Sequence, residues 1–220
     1  MLQFLRRMPN SSAARGVAIA GLSVAAITVG AVLYGSGSPG GNSGSGASCR
    51  GASDAARRID PLIRGEIAAL KPAAASKPLP ALALQTPDGR PTGLDAFRGR
   101  TLLVNLWATW CAPCRAEMPA LDAMQATLGS PDFEVVAVNI DTRNPDRPGR
   151  FLDEIGVKAL TRYADPSAAT FGALKAAGLA FGMPTSILVD PEGCEIASLA
   201  GPADWSSPEA IEVVRAALRR

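Results

Sequence analysis

The chain has 220 residues, 47% apolar and 19% charged, enough for one well-buried domain with appendages. It has no histidine, which excludes Ser-His-Asp and Cys-His nucleophile systems and imidazole zinc sites, and leaves proton transfer to carboxylates, thiols and lysines. The net charge of +2 is an N-terminal effect: without Arg6, Arg7 and Arg15, the only charges before residue 50, 19 basic residues face 20 acidic ones, so nothing in the charge argues for nucleic acid.

Residues 1–15 are short and basic. Val17 to Tyr34 is uncharged and rich in Ala, Val, Ile, Leu and Gly, at the lower edge of the length that spans a bilayer. The arginines lie only on its N-terminal side. The positive-inside rule then predicts a single-pass anchor over residues 16–34, with the tail in the cytoplasm and the rest outside. A cleaved signal peptide is the competing reading, but no Ala-x-Ala site follows closely. Residues 35–48 are Gly/Ser-rich and uncharged, as a flexible tether would be.

Residues 49–78 are expected to be a helical extension packed on the main domain. Asp60 offers an N-cap and Pro61 a first helical position, which would set Ile63, Ile67 and Leu70 on one face. Lys71 to Pro80 holds three prolines and ends it. The main domain is expected over residues 79–220. Pro87-Asp88-Gly89-Arg90 reads as a turn between two short extended pieces. Thr101–Ala108 and Phe133–Ile140 are apolar runs of strand length, and Arg115 to Leu128 between them reads as a helix. That is a β-α-β unit, which requires parallel strands. Arg150–Ile155 and Ser167–Ala177 read as helices. Thr185–Val189 and Glu195–Leu199 read as strands joined by a turn at Asp190-Pro191-Glu192-Gly193. A last helix starts at Ser207 or Pro208 and is expected to bury Ile211, Val214, Ala217 and Leu218.

The chemistry centres on Trp107-Ala108-Thr109-Trp110-Cys111-Ala112-Pro113-Cys114, at a strand-to-helix junction. A cysteine there meets the unpaired N–H groups of a helix start, which stabilise a thiolate, the species that attacks a disulfide. Cys114 is nearly one turn on and can close a ring with Cys111. Half of a zinc site is the bland alternative, but Cys49 and Cys194 lack paired spacing.

Leu103 to Cys114 resembles the active-site stretch of membrane-anchored thioredoxin-like proteins, and Met183-Pro184-Thr185 resembles their cis-proline loop. Cys49 with its following helix, Glu117-Met118-Pro119, Asn139 to Arg143 and Asp190 to Ile196 extend the resemblance, over residues 49–220, to the TlpA/ResA/CcmG group. The resemblance implies a thioredoxin-like α/β fold: a mixed central sheet flanked by helices, an N-terminal helical extension, and a helical insertion over residues 142–182 before the cis-proline loop. It implies catalysis by Cys111 and Cys114 with no bound cofactor. Taken alone Pro184 would be trans, since only about 5–6% of X–Pro bonds are cis; the resemblance implies cis. Trp110, Ala112, Pro113, Met183, Pro184 and Thr185 are then expected to contact substrate, and Trp107 to be core.

Glu117 follows Cys114 by three residues, so it is a candidate acid/base for that thiol, with a solvated helix position as the alternative. Asn105 stands where thioredoxins usually have a buried acid, so no buried acid is expected to raise the Cys114 pKa. In an extracytoplasmic compartment Cys49 and Cys194 are expected to form a structural disulfide, two free thiols being the alternative. The resemblance further implies a monomeric, periplasmic reductase. Its substrates would be the copper-binding cysteines of a cytochrome oxidase subunit and a copper chaperone, and a membrane donor of the DsbD/CcdA type would supply its electrons. A cytochrome c maturation thioredoxin, reducing haem-attachment cysteines of apocytochrome, is the nearer alternative; a non-enzymatic metal carrier is the more distant one.

Overall fold

The computed structural model describes residues 49–219. The expected cytoplasmic tail, anchor and tether lie outside the described residues.

The first helix, α1 (Arg50–Ile59), buries Ala52, Ala55, Ala56 and Ile59 at spacings of three and four. This corrects the expected helix start at Asp60, which is instead the C-cap of α1. Asp60–Leu62 and Gly65–Ile67 are single 3-10 turns. Gly65, at φ +59°, takes a left-handed conformation and stops any continuous helix to Leu70. Ile63 is consequently only partly buried, while Ile67 and Leu70 reach the core from separate turns. An Asp-Pro pair starts a 3-10 turn as readily as an α-helix, and an alanine face carries little hydropathy to outweigh it.

Three two-residue strands follow: β1 (Lys71–Pro72), β2 (Leu84–Gln85) and β3 (Pro91–Thr92). Then come β4 (Thr101–Trp107), α2 (Ala112–Leu128) and β5 (Phe133–Asn139). The insertion holds α3 (Asp146–Glu154), β6 (Tyr163–Ala164) and α4 (Ala169–Ala176). The expected helical insertion therefore also contains a strand: β6 pairs in parallel with β5. The chain closes with β7 (Thr185–Val189), β8 (Glu195–Ala200) and α5 (Pro208–Leu218).

The strands form one mixed sheet in the order β1-β8-β7-β4-β5-β6-β2-β3. β4 and β5 are buried at every residue, as largely apolar runs at a sheet centre should be, and they bury the polar Thr101, Asn105, Glu134 and Asn139 as well. β4 pairs in parallel with β5 and antiparallel with β7, Leu106 lying opposite Thr185. β1, from the N-terminal extension, becomes the sheet edge on β8, and Leu79 N–H bonds to Gly193 O at 2.9 Å. The extension is thus part of the same sheet. In α5, the Ser207 hydroxyl accepts the Ala210 N–H at 3.2 Å and Pro208 occupies the first turn. Its buried residues are Ala210, Val213, Val214, Ala216 and Ala217; Ile211 and Leu218, expected there, are only partly buried. α1 packs across α5 and β8, which widens the α5 interface beyond one stripe.

Candidate active site

The chain leaving β4 turns through residues 108–111 directly into α2. Cys111 is the N-cap, extended at φ −92° and ψ 103°, and its Sγ accepts the Cys114 N–H at 3.3 Å. That contact is the geometry which favours a Cys111 thiolate once the pair is reduced. Cys111 and Cys114 are joined as a disulfide. Pro113 lies in the first turn, where a missing N–H costs no helical bond. Cys111 keeps 6% of its surface exposed and Cys114 none, so Cys111 is the sulfur a macromolecule can reach.

A second pair of residues holds this turn. Asp141, just past β5, accepts the Thr109 N–H at 3.1 Å and the Asn139 amide at 3.2 Å. Asn139 Oδ1 in turn accepts the Asp141 N–H at 3.0 Å. The stretch Asn139 to Arg143 entered the sequence reading only through resemblance, with no role attached. An acid two residues after a buried Asn at a strand end was the signal available.

Glu117 is 4% exposed and projects from α2 one turn beyond Cys114. Asn105 of β4 donates to its Oε1, and the Ala203 N–H donates to its Oε2 at 3.3 Å. The Asn105 amide also donates to the Ser186 hydroxyl at 2.9 Å. Glu117 therefore does not take the alternative, solvated helix position. One expectation is corrected: the site does have a buried acid, supplied by the helix rather than the strand. Burial pushes the Glu117 carboxyl up to about 7 from an ordinary 4.5, against the two hydrogen bonds that favour the charged form. A cleft of about 520 Å³ opens beside it, lined by Pro113, Glu117, Pro119, Ala203, Asp204 and Ser206.

The raised value sets a pH dependence with a definite sign. The folded state holds the Glu117 proton more tightly than the unfolded chain, so its contribution is complete below pH 4.5. It is lost as pH rises towards about 7. Relative to Glu117→Gln, the wild-type oxidised protein is expected to lose about 2 kcal/mol of stability between pH 5 and pH 8. Denaturant titration at the two pH values checks this; parallel stabilities for the two proteins would refute the buried acid.

The Met183–Pro184 bond is cis. Because Leu106 lies opposite Thr185, residues 181–184 enter β7 at the sheet end where residues 107–111 leave β4. Thr185, expected to contact substrate, is 1% exposed, and its hydroxyl donates to Gly182 O at 2.7 Å. Its side chain fixes the loop instead. Pro184 is likewise buried, while Met183 is partly exposed and Ala112 and Pro113 are exposed. Trp110 is exposed, whereas Trp107 is buried against Phe151, with ring centroids 6.0 Å apart.

Cys49 and Cys194 form the second disulfide. Cys194 follows the β7–β8 turn, at the opposite end of β7 from the cis-proline loop, so this bond takes no part in the dithiol site. Asp190 organises the turn: its Oδ1 accepts the N–H groups of Cys194 at 2.7 Å and Glu192 at 3.0 Å, and burial raises its pKa. Among the described residues, no group of three or more His, Cys, Asp or Glu side chains is placed to hold a metal ion.

Comparison with known proteins places this geometry. The redoxin family profile matches residues 74–214. Thioredoxin-like protein YneN of Bacillus subtilis is 43% identical over 60 residues, which cover 27% of this chain and about a third (35%) of YneN. Thiol:disulfide interchange protein HelX of Rhodobacter capsulatus is 34% identical over 140 residues, covering 61% of this chain and 72% of HelX. A crystal structure from Chlorobium tepidum, provisionally named thiol:disulfide interchange protein DsbE, superposes with a TM-score of 0.56 at 31% identity. It covers 68% of this chain and 98% of that one. The chain belongs to the redoxin family, within the thioredoxin-like group of thiol:disulfide oxidoreductases.

Proposed function

We propose that the chain is a protein-disulfide reductase held at the outer face of the cytoplasmic membrane. The observation that carries the reading is the Cys111–Cys114 pair at the start of α2, with one sulfur accessible, one enclosed, and a buried carboxyl one turn away. In the reduced enzyme, Cys111 thiolate attacks a substrate disulfide. The substrate S–S bond breaks, one substrate sulfur leaves as a thiol, and a mixed disulfide forms. Cys114 passes its proton to the Glu117 carboxylate and attacks Cys111 Sγ. That expels the second substrate thiol and leaves Cys111–Cys114 oxidised, two electrons having moved to the substrate. A carboxyl with a pKa of about 7 accepts and returns a proton near neutral pH, a role worth about 10²–10⁴ in rate. The Met183 backbone, beside the dithiol turn, is positioned to pair with an extended substrate segment.

The cellular setting rests on separate support. The basic tail and the apolar stretch over residues 16–34 fit an uncleaved anchor; among the described residues no helix is long and apolar enough to cross a membrane. A Cys49–Cys194 disulfide belongs in an oxidising compartment such as the periplasm. An anchored reductase there draws electrons from a membrane dithiol carrier of the DsbD/CcdA type, and the tether raises the effective concentration of both partners. Copper-binding cysteines of cytochrome oxidase assembly proteins are the substrates implied by the resemblance to TlpA, which includes the Cys49 and Cys194 positions.

The test is the reduction potential of the Cys111–Cys114 pair in the full chain, equilibrated against glutathione. A value of about −200 to −270 mV is expected and supports a reductase. A value near −120 mV would reverse the direction of electron flow and make the protein a disulfide donor.

A further inference from the structure

Among the described residues three large apolar side chains are exposed: Ile155 at 37%, Trp110 at 63% and Phe181 at 79%. Two of them flank the dithiol. Trp110 lies four residues beyond Leu106 on the chain leaving β4, and Phe181 lies four residues before Thr185 on the chain entering β7. Leu106 and Thr185 are opposite one another, so both aromatics stand on loops at one end of adjacent strands.

The exposure of Phe181 is held in place from both sides. Ala180 before it is fully buried, and the N–H groups of Leu179 and Ala180 both bond to Leu174 O, at 2.9 and 3.3 Å. After it, Gly182 O accepts the Thr185 hydroxyl. These bonds fix the backbone on either side of Phe181. Burying an aromatic ring is among the largest favourable terms a side chain offers, and here the fold leaves it in water at the sheet end where residues 107–111 leave β4.

We propose that Phe181 is a specificity-determining contact: together with Trp110 it receives a large apolar side chain next to the reactive cysteine of an extended protein segment. The inference rests on the reductase reading above. Continuity with the Cys111 site argues for this occupant, because both loops stand at the sheet end where Cys111 begins α2. Trp110 and Phe181 then supply an apolar contact, while Met183 offers its backbone. The electron balance is that of the proposed reaction, with the dithiol oxidised and the probe disulfide reduced to two thiols.

The test uses the reduced full chain in detergent and two peptide–glutathione mixed disulfides that differ only in leucine or serine beside the peptide cysteine. The readout is the ratio of their second-order reduction rates, which a general loss of folding or reactivity does not move. The wild type is expected to prefer the leucine probe about tenfold, the ratio that burial of one such side chain sustains. Phe181→Ala is expected to bring the ratio to about twofold or less, and Ile155→Ala, at the other exposed apolar residue, to leave it at the wild-type value. A ratio unchanged by Phe181→Ala, with both probes reduced, overturns the inference alone. So does a concentration-dependent dimer that Phe181→Ala dissociates without changing the ratio, since the ring would then be covered by a second copy of this chain. If the wild type reduces neither probe, the reductase reading fails and this inference with it.

Discussion

Replacing Cys111 with serine is expected to abolish reduction of insulin or any other disulfide protein, with a fall on the order of a thousandfold or more. The reason is specific to this position. Cys111 is the N-cap of α2 and its sulfur already accepts the Cys114 N–H, so the negative charge of a thiolate is met by a fixed donor. A serine hydroxyl stays protonated at neutral pH and cannot use that donor to become a nucleophile. Cys114, with no exposed surface, cannot take over from a macromolecular disulfide. Cys114→Ser tests the other half of the scheme. It keeps the first step and removes the second, so about one equivalent of mixed disulfide should accumulate, visible by intact mass without reductant. Full turnover by Cys111→Ser would defeat the assignment of the nucleophile. Failure to trap any adduct with Cys114→Ser would show that Cys114 is not the resolving thiol.

The largest stability effect is expected from the second disulfide. Cys49 and Cys194 are separated by 145 residues. Closing a loop of that length restricts the unfolded chain by about 5 kcal/mol in the chain-entropy model. In the folded state the bond fastens the start of α1 to the β7–β8 turn. That turn is itself held by Asp190 and by the Leu79–Gly193 hydrogen bond. α1 also keeps its contacts with α5 and β8 without the bond. Cys49→Ser is therefore expected to lower the melting temperature by about 10 °C, corresponding to about 3–4 kcal/mol for a domain of this size. The Cys49→Ala/Cys194→Ala double variant should do the same, which separates loss of the cross-link from an unpaired thiol. Disulfide reduction at room temperature should persist in both, because the bond lies at the opposite end of β7 from the dithiol. An unchanged melting temperature would remove the clamp; lost activity in a folded variant would show that the two ends of the sheet are coupled.

What could be read from the sequence alone follows from where local chemistry decides. The β4 and β5 runs are mostly apolar and of strand length, so they read as buried strands. Cys111-Ala-Pro-Cys114 carries its own helix start, because the proline in the first turn has no N–H to leave unpaired and the N-cap sulfur accepts the N–H of Cys114. Ser207-Pro208 announced α5 by the same logic. The pairing of Cys49 with Cys194 also followed once Cys111 and Cys114 were matched by spacing.

The tertiary structure decided what depends on partners far along the chain. Sequence spacing leaves Glu117 open between an acid/base for Cys114 and a solvated helix position. Its burial comes from Asn105 on β4 and from Ala203 beyond β8, neither of which local periodicity can bring to α2. The same burial raises its carboxyl pKa to about 7, against those two hydrogen bonds. Strands of two residues, such as β1 and β6, have no period of their own and exist because a longer neighbour offers unpaired backbone. Nothing in the sequence singles out Phe181. Its exposure, directly after fully buried Ala180, is set by the tertiary packing of the loop.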